Sequence, residues 1–293
     1  MSRFFGTGVA MVTPFNADGS IDFNAQERII EHLITGKVEY IVVLGTTAES
    51  ATLSKKEKQQ IFEFVSEKVA RRVRLVAGIG GNNTAEIVQE VSEFNYPGYE
   101  AILSVSPYYN KPTQEGIYQH YKAVAEASKL PIILYNVPGR TGMNMTAETT
   151  LRLAREVDNI IATKEASGNF EQFNAIAAGK PEGFDLISGD DPITLPMISL
   201  GAIGVISVVG NAFPSQFSEM VRQCLKGNYS NALSAHFSFL EITKLCFVES
   251  NPCGVKAALK ALNIADDNVR LPLVKVSDST RSKIEAEVKS LLG

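Results

Sequence analysis

The chain has 293 residues, 45% of them hydrophobic and 20% charged, with a formal net charge of −4. This is ordinary globular composition, enough for one large core or for a domain plus an extension. The mildly acidic balance argues against nucleic acid or an anionic membrane as a partner, so anionic ligands need local cations.

Read from the start, "MSRFFGTGVAMVTPF" lacks the long apolar run and small-residue cleavage site of a secretory leader. A first β-rich run, "GVAMVT", covers 8–13, and a second, "YIVVLGT", covers 40–46. A helix follows from Ser54, which stands as N-cap with Glu57 at the capping-box position. The third run, "RLVAGIG" at 74–80, leads into "GIGGNNTAEI". That stretch imitates a dinucleotide fingerprint, but Asn83 replaces the third glycine, and Glu100 falls at the start of the next strand rather than its end. The fourth run is "AILSVSP" at 101–107, with a helix starting at Thr113, and the fifth is "PIILYNV" at 131–137. A helix starting at Thr146 carries Leu151 and Ala154 on one face, and "NIIATK" at 159–164 is the sixth run. The seventh and eighth are "DLISGD" at 185–190 and "GVISVV" at 204–209.

The segment 192–213 is uncharged and long enough to suggest a membrane span. Pro192, Pro196, Gly201, Gly204 and Gly210 interrupt it, and a short buried helix followed by a strand explains it better. After 227–230 the pattern turns wholly helical. Cys224, Cys246 and Cys253 are odd in number and show no C-x-x-C spacing, which suits a reducing, cytoplasmic compartment and neither a disulfide framework nor a zinc knuckle.

Eight apolar strands alternating with helices predict an α/β fold of the (β/α)8 TIM-barrel type over 1–226. A helical extension occupies 227–293. A doubly wound sheet is the rival arrangement, and eight unbroken units favour closure.

In such a barrel the chemistry sits at the C-terminal ends of the strands. Lys164 ends the sixth run, and alternation puts Ile160, Ala162 and Lys164 on one face, with Ile161 and Thr163 on the other. An ordinary lysine, with a pKa of ~10.4, is neutral in only roughly four parts in ten thousand at pH 7. Desolvation favours the neutral amine, which can attack a carbonyl and form an imine. The alternative is a lysine that snorkels to water or pairs with Glu165. Tyr135, on the neighbouring strand, is placed to shuttle a proton, or is a core tyrosine. Thr46 and Thr47 orient a carboxylate or relay a proton, or simply start a helix. Arg140 grips a carboxylate bidentately, or is a loop arginine. Tyr108 and Tyr109 form an exposed aromatic pair suited to an oligomer contact. Asp190 and Asp191 are the only start of a metal site, since His32, His120 and His236 are scattered over helical patterns. A metal-dependent barrel hydrolase is therefore the alternative of a different class.

With these residues in hand, the chain resembles the pyruvate-dependent class I aldolase/lyase family of (β/α)8 barrels over essentially its whole length. The matching motifs are "GTTAESATL", "GGNNTAE", "SPYYNKPTQEGIYQH", "LYNVPGRTG", "KEASGN", "SGDD" and "GVISV". The resemblance implies that Lys164 forms a Schiff base with pyruvate and that Tyr135 is the general acid/base. It implies a relay of Tyr135, Thr47 and Tyr109, the last reaching into the adjacent subunit. Thr46, Thr47, Gly189 and Ile206 would line the pyruvate pocket, and Arg140 would hold the carboxylate of L-aspartate 4-semialdehyde. The implied enzyme is a cytoplasmic homotetramer, a dimer of dimers. It needs no separate cofactor or metal and serves the committed step of diaminopimelate and lysine biosynthesis. An N-acetylneuraminate lyase is the near alternative, and it lacks the arginine of the "GRTG" context as a rule.

Three departures stand out. Ala48 replaces a usual glycine, at a cost if the position needs positive φ. Thr163 replaces an aliphatic residue before the lysine. At the resemblance's allosteric lysine site, near Ser50, Ala51, Asn82, Glu86 and Tyr108, the usual imidazoles are Lys55 and Lys58. Two cations oppose a cationic effector, each by of order 1 kcal/mol, so weak feedback inhibition is expected.

Overall fold

Each of the eight apolar runs forms a strand, all of them parallel. In the computed structural model, which describes residues 3–293, β1 is Gly6–Ala10, followed by α1 (Phe23–Thr35), β2 (Tyr40–Val43), α2 (Lys55–Val69) and β3 (Arg74–Gly78). Next come α3 (Thr84–Glu93), β4 (Tyr99–Val105), α4 (Gln114–Ala127), β5 (Ile132–Asn136), α5 (Pro138–Thr141) and α6 (Ala147–Glu156). The second half adds β6 (Ile160–Glu165), α7 (Phe170–Gly179), β7 (Asp185–Ser188), α8 (Thr194–Ser199), β8 (Gly204–Ser207) and α9 (Pro214–Leu225). The strands pair in sequence order and β8 returns to β1, which closes the barrel.

Local chemistry sets the element starts. Ser54 accepts from the Glu57 amide while Glu57 reaches back to Ser54 N, the full capping box. Thr113 and Thr146 cap α4 and α6 from one side only, accepting from the Gly116 and Thr149 amides. The strands bury both faces, so they need no polar alternation. Ile41, Leu75, Ile102, Leu134 and Val205 pack outward under the helices. Tyr40, Val42, Val76, Leu103, Ile133 and Ile206 fill the interior.

On β6 strict alternation fails. Ala162 belongs to the interior cluster, but Ile160 packs outward. A register shift opposite Ile132 and Ile133 pairs Ile132 with Ile160 and Ile133 with Ala162, inserting one residue. Ile161 accordingly packs against the interior cluster, contrary to the expected face.

The uncharged 192–213 segment divides into a 3-10 turn, α8, β8 and a second 3-10 turn. Among the described residues no helix is long and apolar enough to cross a membrane. Three helices complete the chain: α10 (Tyr229–Phe247), α11 (Cys253–Ala261) and α12 (Asp278–Leu292). They share the barrel's outer core, with Phe239 of α10 packed on Phe213 and Phe217 at ring-centroid distances of 5.8 and 5.4 Å. All three cysteines are free and buried.

Candidate active site

β5 and β6 bring the first two candidates together. Tyr135 and Lys164 are register partners, both facing the barrel interior, and Lys164 Nζ lies 4.2 Å from the centre of the Tyr135 ring. Lys164 is 5% exposed, so it does not snorkel. It makes no hydrogen bond or ion pair among the described residues. A buried amine against an aromatic face, with space before it, is suited to attack on a carbonyl.

Glu165 points the other way and is not the lysine's partner. Its carboxylate is buried and accepts from Asn136 Nδ2 at 3.1 and 3.2 Å, from the Ser167 amide at 2.8 Å and from Gln172 Nε2 at 3.0 Å. Asn136 follows Tyr135 directly, so Glu165 ties the ends of β5 and β6 to α7.

Gly189, just past β7, closes one wall. Its amide donates to Glu165 O at 2.8 Å. A Cβ there would stand 2.7 Å from Ala166 Cβ and 3.0 Å from Lys164 Cε, so the absence of a side chain leaves room for the lysine. Asp190 lines the same cavity, while Asp191 is fully buried behind it and accepts from the Val208 and Val209 amides, both at 2.9 Å. Burial, then the adjacent Asp191, push the Asp190 carboxyl up to about 6, against the pull of Lys164. Asp191 is also raised, chiefly by burial.

Thr46 and Thr47 lie on a single 3-10 turn, Thr46–Ala48, beyond β2. Thr47 is buried and its Oγ1 accepts from Asn251 Nδ2 at 3.0 Å. Ala48 takes no positive φ; Leu44 and Glu49 do instead, at 59° and 55°. The alanine is therefore harmless.

These residues enclose a cavity of about 440 Å³ at the C-terminal mouth of the barrel, lined by Thr46, Thr47, Tyr135, Arg140, Lys164 and Gly189 among others. Arg140, on α5, is exposed at the rim, and no carboxylate among the described residues pairs with it. Ile206 is buried in the interior apolar cluster and does not line this cavity. Tyr109 is also apart: it is 87% exposed, with φ 72°, and does not line the cavity. One chain alone does not bring Tyr109 to Tyr135 and Thr47.

Sequence reasoning missed the contribution of the helical extension. Leu240, Thr243, Lys244 and Phe247 of α10, together with Asn251, form one side of the cavity. These residues come some two hundred positions after the threonines, and no local pattern marks them.

A second cavity of about 290 Å³ gathers Lys55, Lys58, Asn82, Glu86 and Tyr108. Ser50 lies on a smaller cavity of about 60 Å³ that also touches Lys58, Thr46 and Tyr135. Ala51 is exposed and lines neither. Glu90 and Glu93, which the sequence reading did not single out, face the lysines in the second cavity. Burial raises the Glu90 carboxyl and Lys58 and Lys55 pull it back.

A family model described as the dihydrodipicolinate synthetase family matches residues 3–291. The 4-hydroxy-tetrahydrodipicolinate synthase of Parabacteroides distasonis is 52% identical over 286 residues, covering 98% of this chain and 96% of that protein. That of Phocaeicola vulgatus is 51% identical over 290 residues, with 99% and 98% covered. Among solved structures, dihydrodipicolinate synthase from Aquifex aeolicus superposes with a TM-score of 0.95 at 39% identity, covering 99% of this chain and 98% of that one. The lysine-bound enzyme of Cyanidioschyzon merolae has a TM-score of 0.95 at 39% identity, with 99% of each chain covered.

Proposed function

Since the chain belongs to the dihydrodipicolinate synthetase family, we propose that the cavity at the barrel mouth condenses pyruvate with L-aspartate 4-semialdehyde through an imine on Lys164. The activity is that of a lyase forming 4-hydroxy-tetrahydrodipicolinate, and the relatives at about half identity do not favour a sugar-acid lyase or a metal-dependent hydrolase.

The observation that carries the chemistry is the buried, unpaired Lys164 amine beside the Tyr135 ring. The amine attacks the ketone carbon of pyruvate, and loss of water gives the imine. Tyr135, left as phenolate once it has protonated the departing hydroxyl, takes a methyl proton to form the enamine, whose carbon attacks the aldehyde carbon of the second substrate. The new alkoxide takes a proton from Tyr135. The substrate's own amine then displaces Lys164 by transimination, closing the ring and freeing the lysine. No separate cofactor enters these steps. Thr46 and Thr47 lie against the pyruvate end, and the unpaired Arg140 at the rim suits the carboxylate of the semialdehyde. The exposure of Tyr109 suits insertion into a neighbouring copy, consistent with a homotetramer built as a dimer of dimers. This role fits lysine and diaminopimelate biosynthesis in the cytoplasm.

Borohydride added with pyruvate should leave one pyruvyl adduct, on Lys164. Turnover should appear with aspartate semialdehyde and not with N-acetylmannosamine. An unmodified protein overturns the imine, and preference for the sugar overturns the acceptor. Lys55 and Lys58 facing Glu90 leave a cationic effector in competition with the protein's own ammonium groups, so feedback by lysine is expected to be weak. A low-millimolar or tighter inhibition constant would refute that.

A further inference from the structure

Within its own sequence the turn that carries Thr46 and Thr47 is held by short-range contacts alone. Ala48 N donates to Gly45 O at 3.1 Å and Glu49 N to Thr46 O at 3.2 Å, and Glu49 O accepts from Thr52 N at 2.9 Å and Thr52 Oγ1 at 3.0 Å. The turn then passes through Glu49 in the left-handed region, φ 55° and ψ 34°, a conformation a non-glycine residue holds only when its surroundings enforce it. Thr52 holds the Glu49 carbonyl locally, and the side chain is held from the far end of the chain. Glu49 is buried and both its carboxylate oxygens are taken: Oε1 by Lys256 Nζ of α11, and Oε2 by the Arg270 amide at 2.9 Å. Lys256 also donates to Asn268 O at 2.8 Å and lies 4.3 Å from the centre of the Phe15 ring. The two side chains of the pair are each 1% exposed. Arg270 continues the clamp, donating to Thr52 O at 3.0 Å and to Glu57 at 2.5 and 3.1 Å.

A buried ion pair is a poor source of net stability, because desolvation offsets most of the attraction. An apolar pair of similar volume would hold two surfaces together at least as well. What charge adds is direction: it fixes one carboxylate orientation and, through it, the backbone of Glu49. We propose that Lys256 is a positioning residue for the reaction, fixing Thr46 and Thr47 through Glu49 at the mouth of the barrel. This rests on the reading of those threonines given under Proposed function.

The test compares Lys256→Met, Glu49→Gln and the double variant. Each is followed by thermal midpoint, by kcat and KM for pyruvate, and by borohydride trapping at Lys164. Lys256→Met should lower the midpoint and cut kcat by about thirty-fold, with trapping retained, since Lys164 and Tyr135 are supported by other strands. The double variant removes the lone buried carboxylate. It should recover the midpoint but leave kcat at least about ten-fold down, because a thermally sound loop is then wrongly aimed. If kcat returns with the midpoint to within about threefold of the parent, the pair is structural only and the proposal fails. The same holds if Lys256→Met alone keeps kcat. Where Lys256→Met does not fold, the double variant decides alone. A parent protein that traps no pyruvate overturns the functional reading instead, and the proposal with it.

Discussion

Lys164 and Tyr135 stand opposite each other in the β5–β6 register, with the amine 4.2 Å from the phenol ring centre. A strand pair fixes this distance more firmly than a loop would, and both side chains rise from the interior face of a closed barrel. A phenol and an amine are therefore held in one frame. Tyr135→Phe keeps the packing and removes the hydroxyl. It should lower kcat by about 10²–10⁴-fold while pyruvate is still trapped on Lys164 by borohydride. Steady-state turnover set beside the trapped mass checks both halves.

Gly189 leaves space that the lysine uses. In Gly189→Ala the new methyl meets Ala166 Cβ at 2.7 Å and Lys164 Cε at 3.0 Å unless something moves. Overpacking of this kind costs about 1–3 kcal/mol, and an amine shifted by a fraction of an ångström loses rate. The expected result is a fall of about ten- to a hundred-fold in kcat/KM for pyruvate, with a modest drop in thermal midpoint. Unchanged kinetics would show that the site relaxes freely.

Asp190 links the cavity to pH. Its folded carboxyl titrates at about 6, whereas its ordinary value is 3.8. The unfolded chain thus gives up this proton first. The stability tied to this group is full below about pH 4 and is lost as pH rises through about 6. Asp190→Asn cannot ionise, so it should be more stable than the parent at about pH 8 and show a smaller difference at about pH 4. Thermal midpoints of the two proteins across that range report it. A constant gap between them would contradict the assigned titration.

Glu165 gathers donors only: Asn136, Gln172 and the Ser167 amide. Glutamine at this position presents its own amide hydrogens to some of them. Leaving a buried donor without an acceptor costs about 1–3 kcal/mol. Glu165→Gln should therefore lower the urea midpoint by a corresponding amount, and trapping at Lys164 should survive. A midpoint equal to the parent's would mean the cluster reorganises.

Much of this was legible along the chain. Continuous β-branched runs mark strands buried on both faces, and Ser54, Thr113 and Thr146 announce helix starts through hydroxyls that accept from the first turn. Lys164 and Tyr135 were legible because strand order in a barrel follows sequence order. Ile160 was misplaced because a register shift between β5 and β6 adds one residue, and a period of two carries no sign of it. The role of Glu165 needed the positions of Asn136 and Gln172, each on a different element. Asn251, Lys256 and Arg270 were out of reach for the same reason on a larger scale. Their contacts to the threonine turn span 204 to 221 positions, and nothing in a local window encodes them.

That span sets an order of assembly. A chain made from its N-terminus has all eight strands available by Ser207, yet Glu49 meets its last partner only when Arg270 has been made. During synthesis the barrel can form before the threonine turn is anchored, since domains condense as their residues emerge. Anchoring of the threonine turn is then completed late, after the fold, and a chain interrupted before Arg270 carries Lys164 in place with its threonines unaimed.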